Sequence, residues 1–372
     1  MKKKHLALLA ALALTASGII VYQTVFNSVD TLNRSKGPWE WRPGTSSIAA
    51  NDYFWTQFHA GNYDSIPLVL EKLTAAYLEN PHDLLTVYHL GFGHFWALAE
   101  RQHLDEVPPT VLDHAVLAQK YLGEAYRMNP ADARLLSFLA SAKIIVGSVS
   151  QDDKLVTEGY LNGLKSIRHW EDFGAFSLAY TFSRLPHTDP NFQKTLKWME
   201  ETANRCYCED FDPRAERCIA AIAAEVKNPK TLGRNRIVPN SWVAPHNIEG
   251  FFMSWGDLLV KNGDWEKAIP VYKLAKHAPG YTHWDYRHTL ENRIRHARQN
   301  VDFFRKDLPQ GQKVSTDRAM MVETAIACRA CHQMSRTDLS ETYRDFDAQE
   351  YLDKEFYFLD VRPAGEVIKN RP

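Results

Sequence analysis

The sequence predicts an all-α protein whose helices come in pairs. Within residues 47–306, apolar residues recur at helical spacing, and small residues stand where one helix would meet the next. The longest apolar stripe consists of Leu290, Ile294, Ala297, Val301 and Phe304. The clearest pair spans 252–279, where Gly256 and Gly263 are the small residues. These observations predict helical hairpins rather than a sheet.

The N-terminal residues 1–26 predict a membrane signal. Lys2, Lys3 and Lys4 precede a mostly apolar run over residues 6–26, which is long enough to span a bilayer as a helix. The small residues Thr15-Ala16-Ser17-Gly18 could serve for cleavage, but the apolar run resumes after them. This favours an uncleaved anchor over a cleaved signal peptide. In both cases the lysines stay inside, so the body would lie on the outer side of the membrane. Residues 27–46 are polar and rich in turn residues, which predicts a linker.

Residues 252–279 resemble a tetratricopeptide (TPR) repeat. Gly256 and Gly263 occupy its two small-residue positions and Trp265 its aromatic position, while Pro279 departs from the consensus by one place. The second helix carries the expected Ala268, Tyr272 and Ala275. Weaker copies occur around Gly61-Asn62-Tyr63, Leu90-Gly91 and Ala140, and residues 171–206 look like a further pair. The resemblance implies a TPR-like solenoid over 47–306, since such pairs must stack to bury their apolar faces. Generic helical hairpins are the alternative.

Residues 207–248 interrupt this rhythm with several prolines, and one short helix is expected at about 214–226. A helix over about 283–306 then follows the last clear repeat and would cap the solenoid. Three cysteines, Cys206, Cys208 and Cys218, lie in and beside the interruption. An oxidising compartment favours a disulfide of Cys218 with Cys208 or with Cys206. Free thiols or a C-x-C metal site are the alternatives.

Residues 307–372 carry the most specific motif of the chain. Ser315-Thr316-Asp317 predicts a helix start, and a short helix over 319–327 would lead into Cys328-Arg329-Ala330-Cys331-His332. This is C-x-x-C-H, the attachment signature of c-type haem. Two thiols three positions apart can reach both vinyl groups of one porphyrin, and His332 can bind the iron as proximal ligand. A redox C-x-x-C or half of a zinc site are the alternatives.

The last segment resembles the opening of a small class I cytochrome c, with one departure. That family carries a distal methionine well downstream of the motif, whereas the last methionine here is Met334 and no histidine follows His332. The distal ligand is therefore expected from the helical body or a partner chain, or the site is open. Weak candidates are His283, His288 and His296, followed by His89 and His94. Arg287, Arg293, Arg295 and Arg298 could pair with haem propionates or form a solvated helix face.

These features predict an exported monohaem c-type cytochrome, anchored in or released from the membrane on its periplasmic side. One covalent haem c would transfer electrons, and the repeat surface would dock a redox partner or other subunits. The resemblance implies an electron carrier rather than an enzyme. A haem-based sensor or peroxidase-like protein with an open iron site, or an assembly scaffold with structural haem, are the alternatives. The formal net charge of −1 gives no electrostatic basis for nucleic-acid binding.

Overall fold

The computed structural model describes residues 44–59, 61–104, 106–130, 132–227, 247–278, 281–306 and 314–332. The chain divides into two units, Met1–Glu40 and Trp41–Pro372, and every described residue belongs to the second. The predicted signal over 1–26, most of the linker over 27–46, and the tail beyond 332 lie outside the described residues. The described part is helical and contains no strand, which confirms the all-α prediction.

Twelve α-helices and a final one-turn helix make up the described part. They are α1 (Thr45–His59), α2 (Ile66–Glu79), α3 (Leu84–Ala99), α4 (Val111–Met128), α5 (Ala133–Ser150), α6 (Asp153–His169), α7 (Glu171–Phe182), α8 (Pro190–Cys206), α9 (Glu216–Lys227), α10 (Ile248–Asn262), α11 (Trp265–Leu274), α12 (Arg287–Phe304) and α13 (Arg329–His332). Short 3-10 turns occur at Tyr63–Ser65, Glu100–His103, Ala275–His277, Tyr281–His283 and Met321–Glu323.

Consecutive helices pack as pairs: α1 with α2, α3 with α4, α5 with α6, α7 with α8, and α10 with α11. In the last pair, a Cβ at Gly256 would collide with the ring of Tyr272, so the two helices approach closely because this residue is glycine. Gly263 ends α10 with a φ of 106°, a left-handed conformation that glycine adopts without strain. The two predicted small residues therefore lie at the contact between the helices, for Gly256, and at the end of α10, for Gly263.

Side-chain caps fix where several helices begin. Asp83, Asp132, Asp152 and Asp189 each accept a hydrogen bond from a backbone N–H in the first turn of α3, α5, α6 and α8. Asn247 does the same for α10, through Gly250 N at 2.7 Å. Each cap satisfies an amide that the helix leaves without a partner, which contributes about 1 kcal/mol per cap. These caps therefore determine the residue at which each of these helices begins.

Two further helices lie where the sequence predicts them. The predicted helix at 214–226 is α9, and the predicted helix at 283–306 is α12 preceded by the turn Tyr281–His283. Leu290, Ala297 and Phe304 of the predicted stripe are buried, and α12 packs on α10 and α11. Cys208 forms a disulfide with Cys218, which ties the start of α9 to the end of α8, while Cys206 is a buried thiol.

The predicted helix over 319–327 is wrong. This stretch contains only the 3-10 turn Met321–Glu323, and Thr324 is extended with φ −114° and ψ 171°. The carbonyls of Ala319 and Val322 accept hydrogen bonds from arginine side chains of the helical body instead of from helical amides. The body therefore competes successfully with local helix formation for the backbone of this segment.

One described helix, α5, is long and apolar enough to cross a membrane by length and composition, and 61% of it is buried inside the structure.

Candidate functional site

The C-x-x-C-H motif forms a single helical turn. Cys331 N and His332 N both donate to Cys328 O, at 3.2 and 2.9 Å. Residues three and four positions apart on a helix share a face. Cys328, Cys331 and His332 therefore lie on one side of this turn, which consists of Cys328 and α13.

The three side chains of this face differ in exposure. Cys331 is buried, whereas Cys328 and His332 are half-buried. Both cysteines are free thiols rather than a disulfide. Burial raises the pKa of the Cys331 thiol to about 12, and nearby Glu249 adds to the rise. Burial likewise raises the pKa of Cys328 well above its usual range. Both thiols are therefore protonated at neutral pH.

Backbone carbonyls of the segment 314–332 accept hydrogen bonds from the helical body. Six of them accept hydrogen bonds from body donors. The pairs are Ala319 O with Arg293, Val322 O with Arg184, Ala325 O with His103, Ala327 O with Tyr180, Ala330 O with Trp284, and Cys331 O with Asn247 N. Irregular backbone can be buried only when its polar groups have partners. The body supplies these partners from helices that are far apart in sequence, so the motif and the body form one structural unit.

The motif approaches α10 most closely at Gly250. A Cβ there would lie 2.6 Å from Ala330 O, from Cys331 Cα and from Cys331 Sγ. Two hydrogen bonds flank this contact: Asn247 N to Cys331 O at 2.7 Å and Trp284 Nε1 to Ala330 O at 3.1 Å. Glycine is required here because backbone of α10 touches backbone of the motif.

A buried ion pair secures the other end of the segment. Arg293 Nε lies 3.0 Å from Asp257 Oδ1, and both side chains are almost completely buried. Asp257 also accepts hydrogen bonds from Tyr272 OH at 2.7 Å and from Met321 N at 2.6 Å. This network joins α10, α11 and α12 to the segment that carries the motif.

An aromatic cluster from the first helices lies beside His332. The ring of Phe58 on α1 is 5.1 Å from the ring of His332, measured between centroids. Phe58 contacts Trp96 on α3 at 5.0 Å, and Trp96 contacts Tyr63 at 5.4 Å. The half-exposed imidazole of His332 therefore has an apolar neighbour on the body.

Charged groups of the turn Glu100–His103 lie against the motif. Glu100 Oε2 is 3.3 Å from Arg329 Nη2 and 3.3 Å from His103 Nε2. The Arg329 guanidinium lies 3.9 Å from the ring centroid of Tyr63. Burial raises the pKa of Glu100 to about 7, although Arg329 opposes the rise. Arg329, which stands between the two motif cysteines, is thus held by a carboxylate and an aromatic face.

The structure places His283, His288 and His296 on the surface. His94 is paired with His114, with their Nδ1 atoms 3.0 Å apart.

His89 lies buried in the aromatic cluster of α1 and α3. Asn51 donates from Nδ2 to Ser47 O and to Thr86 Oγ1, so its Oδ1 is left to accept from His89 Nδ1 at 2.7 Å. The His89 ring stacks on Phe54 at 4.5 Å. Packing and this hydrogen bond account for the ring face and Nδ1, whereas His89 Nε2 is buried with no hydrogen-bond partner among the described residues.

The arginines predicted as propionate partners lie on or at the start of α12. Arg293 is committed to Asp257 and Ala319 O. Arg287 donates to Thr282 O, Arg295 donates to Asn292, and Arg298 is exposed on α12. The solvated-face interpretation therefore describes Arg295 and Arg298, and Arg293 is a structural ion pair.

Four residues at the motif were missed from sequence: Glu100, Arg101, His103 and Arg184. The first three belong to the turn Glu100–His103 between α3 and α4, and Arg184 follows α7, so all four are far from the motif in sequence. Within the described ranges, no group of three or more His, Cys, Asp or Glu side chains could hold a metal ion. No family model matches the chain, and neither a curated protein nor a solved structure matches it.

Proposed function

We propose that this protein is a monohaem c-type cytochrome that carries electrons. The observation that carries the proposal is the face that Cys328, Cys331 and His332 share on the turn 328–332, where the two cysteines are free thiols. A redox C-x-x-C has no need of the adjacent histidine on that face. A zinc site would need further ligands, which the described residues do not offer.

The residues present fit a covalent haem. Each thiol would form a thioether, in which sulfur bonds one carbon of a vinyl group and the thiol proton passes to the other carbon. The half-exposed His332 would bind the iron through an imidazole nitrogen. Haem supplies one-electron chemistry when bound, and the protein sets its exposure and potential.

The helical body supports a TPR-like docking scaffold. Its helices pack in consecutive pairs, and the α10–α11 pair carries Gly256, Trp265, Ala268 and Tyr272 at the positions expected of that repeat. Stacked pairs of this kind present extended surfaces to protein partners. The partner would be a redox protein or another subunit, and the attached segment would hold the haem against the same body.

The disulfide Cys208–Cys218 supports an oxidising compartment. Together with the N-terminal signal over 1–26, it favours the periplasmic side of the cytoplasmic membrane, with the protein anchored or released there.

A sensor or peroxidase-like role is the second proposal. It is favoured by the exposed positions of His283, His288 and His296, which leave the sixth iron position without an evident ligand among the distal candidates. An open position would bind a small gas or peroxide.

The optical spectrum of the purified protein, with and without reductant, tests both roles. A low-spin, six-coordinate haem that is reduced reversibly supports electron transfer. A high-spin, five-coordinate haem that changes its spectrum with carbon monoxide or peroxide supports the second role. Protein without haem absorption, purified from cells that mature other c-type cytochromes, would contradict both.

A further inference from the structure

A cavity of about 580 Å³ lies between the start of α9 and helix α11. Arg214 Nη2 donates to Glu266 O at 3.3 Å where these two elements meet. The disulfide of Cys218 with Cys208 ties α9 to the end of α8, and α11 packs on α10. The two sides of the cavity are therefore held in place by the body of the protein.

Most of the lining of the cavity is apolar. The apolar lining residues are Pro213, Ile219, Trp265, Ile269, Pro270 and Leu274. Three of them, Ile219, Trp265 and Ile269, are only half-buried. Covering such apolar surface is favourable in proportion to the area that is removed from water. The cavity therefore fits aromatic or aliphatic side chains.

The charged residues of the lining give the cavity a net positive charge. Arg214 and Lys273 are exposed cations, and Glu266 is the one carboxylate among the described lining residues. His277 adds an exposed imidazole one turn after Lys273. An occupant that matches both properties of the cavity carries apolar side chains together with carboxylates.

The C-terminal tail of this chain has the complementary composition. Residues 338–360 contain eight acidic and two basic residues, which gives a net charge of −6, and six aromatic residues. Residues 228–246, which follow α9 directly, contain Lys230, Arg234 and Arg236 and no acidic residue. Their charge has the same sign as that of the cavity, which disfavours them as its occupant.

The tail is long enough to reach the cavity. It follows the haem motif, which contacts α10 at Gly250. Helices α10 and α11 are joined by two residues and run antiparallel, so the end of α11 at Lys273 lies beside the start of α10. Helix α10 is about 22 Å long, whereas the eleven residues 333–343 span about 36 Å when extended.

We propose that residues 338–360 bind the cavity between α9 and α11 of the same chain. Aromatic side chains of the tail cover Trp265 and Ile269, and its carboxylates pair with Arg214 and Lys273. Each exposed ion pair contributes little, but the apolar contact adds to it, and the short connection to the motif raises the local concentration of the tail. The bound tail would hold the chain on the C-terminal side of the motif. This inference does not depend on haem, so it stands apart from the proposed function.

Hydrogen–deuterium exchange of the full-length protein, measured on peptides from residues 338–360, tests this binding. The wild-type tail should exchange at least about tenfold more slowly than the same residues in a free peptide. The double variant Arg214→Glu, Lys273→Glu should exchange about tenfold faster than the wild type, because each reversed surface charge changes binding only a few-fold. The matched control Lys267→Glu, Arg298→Glu makes the same change of net charge at exposed residues outside the cavity and should exchange like the wild type.

A charge exchange between the tail and the cavity distinguishes pairing from a general loss of structure. Replacing four tail acids by lysine should also speed exchange, and these acids are Asp345, Asp347, Asp353 and Glu355. Combining these changes with Arg214→Glu, Lys273→Glu should restore slow exchange, because the tail and the cavity then have opposite charges again. A combined variant that exchanges as fast as Arg214→Glu, Lys273→Glu would overturn the inference.

Four other results would also overturn it. A wild-type tail that exchanges at the rate of a free peptide is not bound. Slow exchange that persists in Arg214→Glu, Lys273→Glu but is lost in Cys328→Ala, Cys331→Ala would place the tail at the haem motif. Slow exchange that is lost on dilution would show that the tail binds a second copy of the chain. Faster exchange of residues 228–246 without any change in residues 338–360 would identify the former as the occupant.

Discussion

Gly250→Ala should detach the motif from the helical body. The new Cβ would lie 2.6 Å from Ala330 O and from Cys331 Cα and Sγ. Ordinary carbon contacts begin near about 3.5 Å, so α10 and the motif must separate by about 1 Å. Two of the three contacted atoms belong to the backbone, so a side-chain rotation cannot relieve the collision.

The cost follows from the contacts at this point. Overpacking costs about 1–3 kcal/mol. Weakening the bonds from Asn247 N and Trp284 Nε1, now 2.7 and 3.1 Å long, adds about 0.5–1.5 kcal/mol each. A total of about 2–6 kcal/mol raises the population of the detached segment roughly 30- to 20,000-fold.

Limited trypsin digestion measures this population, because cleavage after the half-buried Arg329 requires the segment to detach. Gly123→Ala is the matched control. Its Cβ would make an ordinary contact of 3.6 Å with Leu139, and it gains the same helix propensity. Equal cleavage rates after Arg329 in the two variants would refute the contact of the motif with α10.

Three further predictions concern the ion pair, the buried histidines and the anchor. Arg293→Leu should cost about 3–5 kcal/mol in urea unfolding because it leaves Asp257 buried without its cation, and adding Asp257→Asn should recover part of that loss. Burial lowers the pKa of His89 to about 3 and of His94 to about 4. The contribution of these neutral imidazoles to the free energy of unfolding is therefore fully present above about pH 6.5, and it is lost as the pH falls. Each histidine contributes a slope of up to about 1.4 kcal/mol per pH unit in urea unfolding between about pH 6 and 4. Residues 6–26 should keep the protein with membranes after a carbonate wash.

Each of these three predictions has a control variant or a result that would contradict it. An exposed substitution, Arg298→Leu, should leave stability nearly unchanged, and an Arg293→Leu cost no larger than that of the control would contradict the ion-pair account. His94→Gln should flatten the acid slope, and an unchanged slope would show that His94 titrates normally in the folded protein. A soluble form lacking about the first 18–30 residues would show that the N-terminus is a cleaved signal.

Local patterns were sufficient to predict the helical body. The stripe of Leu290, Ala297 and Phe304 marked the buried face of α12, and Gly256 marked the contact with Tyr272 on α11. These features could be predicted because helix periodicity and close helix approach depend on residues near each other in the chain.

The candidate site is formed by contacts between residues that are far apart in the sequence, and local sequence patterns do not predict such contacts. His103 and Ala325 are 222 positions apart, and Arg184 and Val322 are 138 positions apart. The helix predicted over 319–327 does not form for the same reason. Side chains of the helical body donate hydrogen bonds to carbonyls that would otherwise accept from helical amides. Tertiary hydrogen bonds overrode local propensity there.

The mass of the peptide that contains Cys328, Cys331 and His332, released from denatured full-length protein by cleavage after Glu323 and Glu341, tests the central claim most directly. The account predicts a peptide heavier by one haem, and its loss in the Cys328→Ala, Cys331→Ala double variant while the helical body stays folded. A peptide with two free thiols, or with a disulfide between Cys328 and Cys331, in cells that mature other c-type cytochromes would contradict the claim.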